Sequence, residues 1–252
     1  MATNSDFQII SSLRFDPALP EAAARYSSCY PDPDKTPFYL LRYHQDRLLA
    51  AARDFQWNQA VEWLGQDLES FEHYLDASIP DRTKAWRLRI AIDHHGKAKV
   101  EVNPTAGIDS MGLFIPSLHP PSSQSAWCVY VDSVPTTPSK FTKHKTTARD
   151  EYTSARLRMG IISLADTSEV LVVNPEDEIM EGSITTPYLL RGHMWITPPL
   201  SSGGNQGTTR RYALSRGFCI EQSISRKDLV DGEPCWLSNG VRGFFRGQIS
   251  LS

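Results

Sequence analysis

Four short groups of residues could do chemistry. Lys143, His144 and Lys145 stand together, with Arg149 four residues further on. Crowded cations favour the neutral amine, and a neutral lysine is the nucleophile that Schiff-base chemistry needs. The same cluster also reads as a solvated basic patch. Glu181 lies between the apolar pair Ile179 and Met180 and the small residues Gly182 and Ser183. At a strand entry such an acid is buried, and a buried carboxylate needs a cationic or hydrogen-bonding partner; on the surface it would be one more turn acid after Asp177 and Glu178. Gly207, Thr208, Thr209 and Arg210 deliver a glycine-rich loop onto a helix start. Backbone N–H groups and the positive dipole end face an anion there, and threonine hydroxyls add donors. The bland counterpart is a capped helix after a surface loop. His44 and Arg47 fall on adjacent faces of one helical turn. Arg47 could clamp a phosphate in a fork that lysine cannot form, or simply open an amphipathic helix.

Other candidates are weaker. Arg14 and Arg42 stand near strand ends. His94 and His95 read as a hairpin turn, since no third ligand has metal-site spacing. His73, His119 and His193 have no motif around them. Trp86, Trp127 and Trp236 lie in strand patterns and read as core. There is no Walker lysine and no GxGxxG run, so neither nucleotide motif applies.

The elements that must position these groups follow from periodicity. Residues 7–13 and 38–42 read as strands. Residues 44–55 put Leu48, Ala51, Ala52 and Phe55 on one helical face, and residues 61–75 repeat that spacing in a second helix. Residues 86–92 and 98–102 flank a glycine-containing connection and predict a β-hairpin. Residues 16–36 form a long loop or a short helix. Residues 115–125 hold three prolines and four serines, which cannot build a packed element. A domain boundary is placed there, giving residues 1–120 and 121–252. Beyond it, strands are predicted at 126–131, 169–173, 184–190, 193–197, 234–239 and 243–249. A polar loop carries Lys140 to Lys145, and helices are predicted at 149–159 and 210–215. Both halves mix helices and strands, so the fold class is α+β.

Composition narrows the classes of function. The 252 residues carry 26 basic and 29 acidic side chains, a net charge of −3. That balance argues against a nucleic-acid binder, whose footprint is a basic excess. No apolar run approaches the ~20 residues of a membrane helix. Residues 1–6 lack the basic and apolar regions of a signal peptide. Cys29, Cys128, Cys219 and Cys235 are scattered with no CxxC pair. Neither a zinc knuckle nor a dithiol site is expected, and a cytoplasmic protein with reduced thiols is.

Taken in order, the His44–Arg47–Leu48 group, the lysine-led helix, Glu181-Gly182-Ser183 before a strand, and the Gly207–Arg210 step resemble the fold type IV enzymes that use pyridoxal 5′-phosphate (PLP). These are the class IV aminotransferases and the 4-amino-4-deoxychorismate lyases. The resemblance runs from Phe7 to Gly243. It implies two α+β domains with PLP in the cleft between them, and a homodimer. It implies that Lys145 is the catalytic lysine and holds PLP as a Schiff base. Glu181 would pair with the pyridine nitrogen, Arg47 would bind the phosphate, and Thr208 and Thr209 would hold the phosphate by amides and hydroxyl. Ala148 and Thr186 stand where the family often has asparagine. Arg149 stands where branched-chain enzymes tend to carry tyrosine, and the lyases resemble this chain better there. The activity expected first is elimination of pyruvate to give 4-aminobenzoate. The alternatives are a transaminase acting on an amino acid or amine and, more remotely, a non-catalytic protein that keeps the fold.

Overall fold

Strand β1 (Ile9–Phe15) has Ile9, Ile10, Leu13 and Phe15 all buried. In this computed structural model the residues described are 7–26, 30–31, 35–105, 107–116, 125–163 and 165–251. Cys29, His119 and residues 117–124 of the proline- and serine-rich stretch lie outside them. The chain divides into two compact units. The first comprises Met1–Phe114, His144–Ala148 and Gly240–Arg242; the second comprises Ile115–Lys143, Arg149–Asn239 and Gly243–Ser252.

In the first unit β1, β2 (Trp86–Ile92) and β3 (Ala98–Pro104) form a three-stranded antiparallel sheet in chain order. The predicted hairpin is β2–β3. Asp93 caps its turn by accepting the His95 and Lys97 backbone N–H groups at 3.0 Å. Gly96 adopts φ +74°, a left-handed conformation that favours glycine. Helix α1 (Leu19–Arg25) falls in the stretch expected to be a loop or short helix.

Two expectations fail here. Residues 38–42 are not a strand: Phe38 makes one isolated bridge to Phe15, Leu40 turns to φ 53°, and helix α2 (Leu41–Asp54) begins at once. A short apolar run cannot be told from a buried helix start by periodicity, and Phe38 to Leu41 are all buried. Residues 61–75 are not one helix but two, α3 (Asn58–Leu64) and α4 (Leu68–Asp76). Asp67 breaks the run by capping α4, accepting from the Ser70 N–H at 2.8 Å. The Gln45 amide donates to the Leu64 and Gln66 carbonyls at 3.1 and 2.9 Å, which satisfies the end of α3.

The second unit is built on an eight-stranded mixed sheet ordered β6-β5-β4-β11-β10-β7-β8-β9. Its strands are β4 (Trp127–Val131), β5 (Ser168–Val173), β6 (Ile179–Gly182), β7 (Thr186–Arg191), β8 (Met194–Thr197), β9 (Cys219–Glu221), β10 (Pro234–Asn239) and β11 (Gly243–Ile249). β4 runs parallel to β5 and β11, and β8 parallel to β9. Helices α5 (Lys140–Lys143), α6 (Asp150–Arg158) and α7 (Thr208–Ser215) complete it. Val129, Leu171, Leu189, Leu237 and Ile249 form the heart of its core. Several bounds differ from the sequence reading: Glu181 has its own strand, the next strand starts at Thr186, α7 starts two residues early, and the expected polar loop from Lys140 contains the one-turn helix α5. Strand β9 was not expected, being too short to show a period. The fold class is α+β, and no helix among the described residues is long and apolar enough to cross a membrane.

Candidate active site

In the first unit the segment His144–Ala148 is laid along the start of β1. The Ile10 N–H donates to the Lys145 carbonyl at 2.8 Å, the Thr147 N–H donates to the Gln8 carbonyl at 2.9 Å, and Ile9 bridges Thr146. Backbone pairing thus fixes Lys145 from both sides. Lys145 is half-buried, whereas Lys143 is exposed. The neighbouring His144 Nε2 lies 2.7 Å from Asp54 Oδ2, a further tie to α2.

Arg47 and His44 share one turn of α2. Arg47 donates to the Ser11 hydroxyl at 2.5 Å, and Ser11 Oγ lies 2.7 Å from His44 Nδ1. Arg47 Nη2, which can only donate, also lies 3.5 Å from Nδ1, and this favours the tautomer in which Nδ1 accepts and Nε2 carries the hydrogen. His44 is fully buried. Burial first, then Arg47 and Lys145, hold it well below the ordinary imidazole range. Two cations, Arg47 and Lys145, thus act on a neutral His44 in this unit. Gly240 packs against His44: a Cβ there would come within 2.6 Å of His44 Cε1 and 2.8 Å of the Ser12 carbonyl oxygen.

In the second unit Glu181 is buried in β6 at 6% exposure, so it is not a turn acid. Oε1 accepts from the Tyr152 hydroxyl at 2.5 Å and from the Asn205 N–H at 3.3 Å, and Oε2 accepts from the Asn205 amide. The loop that brings Asn205 passes very close: a Cβ on Gly204 would stand 2.5 Å from the Met180 carbonyl oxygen and 3.2 Å from Glu181 Cβ. Glu169 braces the turn after Glu181. It accepts from the Ser183 N–H and hydroxyl at 3.0 and 2.5 Å, the Ile184 N–H at 3.1 Å and the Thr185 hydroxyl at 2.7 Å.

Helix α7 begins with Gly207 as its cap residue, and no side-chain hydrogen bond caps it. Thr208 and Thr209 are both buried, which sets aside the surface-loop reading. The Thr209 hydroxyl accepts from Ser238 Oγ at 2.7 Å, and Ser238 Oγ lies 2.9 Å from the Tyr188 hydroxyl. Arg210 anchors the turn through the Pro198 carbonyl at 2.8 Å and an ion pair with Glu221.

Of the predicted residues, Lys145 and Arg47 fall in the first unit and Glu181, Thr208 and Thr209 in the second. Tyr152, Asn205 and Glu169 were given no role by sequence reasoning. Tyr152 lies three residues after Arg149 on one helical face, a detectable signal; Asn205 and Glu169 stand out only once folded. A recess in the second unit is lined by Met180, Glu181, Thr186, Gly204 and Asn205. Each unit holds groups of the kind PLP takes: an amine and a cation in the first, a helix start and a buried carboxylate in the second.

Residues 32–248 match the family described as amino-transferase class IV. The chain is 30% identical over 194 residues to the aminodeoxychorismate lyase of Saccharomyces cerevisiae, covering 66% of this chain and 52% of that enzyme, about half its length. A Schizosaccharomyces pombe protein, provisionally named for the same activity, is 24% identical over 84% of this chain and 85% of its own. The structure of the 4-amino-4-deoxychorismate lyase from Pseudomonas aeruginosa overlays with a TM-score of 0.64 at 16% identity, over 96% of this chain and 83% of that one. With the greater part of its length matched, the chain belongs to the class IV aminotransferase family of PLP-dependent enzymes.

Proposed function

We propose that this enzyme is an aminodeoxychorismate lyase, releasing 4-aminobenzoate and pyruvate. The observation that supports it most is the 30% identity to the yeast lyase. Bound PLP supplies a carbonyl for the substrate amine and an electron sink for the carbon that carries it. Lys145 holds the cofactor at rest. During turnover its amine takes the proton from the carbon bearing the substrate nitrogen. It then gives a proton to the departing enolpyruvate fragment, which leaves as pyruvate while the ring becomes aromatic. Glu181 keeps a proton on the cofactor's ring nitrogen. Arg47 and the backbone N–H groups of Thr208 and Thr209 bind the phosphate. The Thr209 hydroxyl accepts from Ser238 Oγ and so keeps its own proton to donate.

The test is to incubate the PLP-loaded protein with aminodeoxychorismate, and separately with amino donors plus pyruvate. Release of 4-aminobenzoate supports the lyase. Alanine with a keto product, and no 4-aminobenzoate, would replace it with a transaminase. A homodimer in the cytoplasm belongs to the same proposal, and sedimentation velocity of the purified protein tests the dimer.

A further inference from the structure

The buried phenol of Tyr152 has a use that core packing does not explain. Tyr152 is 3% exposed and packs with Ala155, Val170, Val172 and Met180. A phenylalanine would fill that volume equally well. Yet its hydroxyl ends 2.5 Å from Glu181 Oε1, a short charge-assisted contact. Burial, and after it the charge of Glu181, push the phenol far above its ordinary range, so it stays a donor at every working pH. Its ring is held in turn. The Arg149 guanidinium lies 4.0 Å over the ring centroid and donates to the Ser183 carbonyl at 2.7 Å, which ties α6 to the turn after Glu181.

Donors aimed at a carboxylate favour its charged form. A carboxylate so held is a weaker competitor for a proton shared with a neighbouring nitrogen. We propose that Tyr152 is a positioning residue that keeps Glu181 charged and aimed, and thereby keeps the shared proton on the cofactor's ring nitrogen. The inference rests on reading Glu181 as the partner of that nitrogen. Without the phenol, the proton moves toward the carboxylate, the nitrogen becomes neutral, and the electron sink weakens.

The experiment loads parent, Tyr152→Phe and Glu181→Gln protein with PLP labelled with ¹⁵N in the ring, and records the nitrogen resonance and the kinetics. For Tyr152→Phe the resonance should move toward the unprotonated position. Its kcat should fall about tenfold, the size of one hydrogen bond to a charged group, with little change in KM. A purely structural tyrosine would move stability and leave the resonance alone. A Tyr152→Phe resonance equal to the parent's, with Glu181→Gln shifted, overturns the role of Tyr152 alone. A Glu181→Gln resonance equal to the parent's removes Glu181 from the ring nitrogen, and the proposal with it. Should Tyr152→Phe not fold, 3-fluorotyrosine placed at position 152 gives a stronger donor in the same shape. The resonance should then move further toward the protonated position, and an unchanged resonance would overturn the proposal.

Discussion

Ser11 Oγ accepts a 2.5 Å hydrogen bond from the Arg47 guanidinium, joining β1 to α2 across 36 positions of sequence. The bond fixes one arm of the arginine, and a preformed cation costs less ordering when an anion binds. Arg47→Ala should weaken PLP about ten- to a hundredfold, using ~1.5–3 kcal/mol for a hydrogen bond to a charged group. Ser11→Ala should weaken it by a few-fold only. Neither should alter the affinity for pyridoxal, which has no phosphate. Titrating apo-protein with both ligands checks this, and an unchanged PLP affinity for Arg47→Ala would take Arg47 out of the site.

His44 predicts an acid limit to stability. Its folded value is depressed below the ordinary 6.5, so the unfolded chain binds a proton there that the folded chain refuses. Stability contributed by neutral His44 is fully present above pH 6.5 and is lost progressively as pH falls below it, toward the lower folded value. The slope from one such group is at most about 1.4 kcal/mol per pH unit. Denaturant unfolding between pH 7 and 5 should show it, and His44→Gln should flatten the profile. Parallel profiles for parent and variant would show that His44 is not the group.

Gly204 marks where the loop bearing Asn205 presses on β6. Gly204→Ala puts a Cβ 2.5 Å from the Met180 carbonyl oxygen, so the loop must shift away from Glu181. The expected cost is ~1–3 kcal/mol of stability, as for overpacking, with a loss of turnover. Gly107→Ala is the control, since a Cβ there meets nothing within 4 Å. Thermal melts of the two variants should differ clearly; equal melts would mean that the loop yields freely.

Much of this was legible in the sequence, for identifiable reasons. The β2–β3 hairpin showed because its alternation and glycine turn are local. Helix α2 showed because Leu48, Ala51 and Ala52 repeat at helical spacing. Leu40 was not legible: its left-handed turn is imposed by packing, with the Tyr30 hydroxyl accepting from its N–H at 2.9 Å. Asp67 could have been seen as a helix cap, but the apolar period ran straight through it. Among the candidate residues, Lys145, Glu181 and Arg47 stand out in the sequence because each sits in a short motif. Asn205 and Glu169 were not, because their contacts join residues 24 and 14 to 16 positions apart through loop and turn geometry.

The most direct measurement is to reduce the PLP-loaded protein with borohydride and map the pyridoxyl group by peptide sequencing. The backbone of Lys145 is locked against β1, and Lys145 is half-buried where Lys143 is exposed. The label should therefore be on Lys145, and Lys145→Ala should take up none. A label on the exposed Lys143, two residues away, would contradict the assignment of the catalytic lysine. No label at all would contradict a covalently held cofactor.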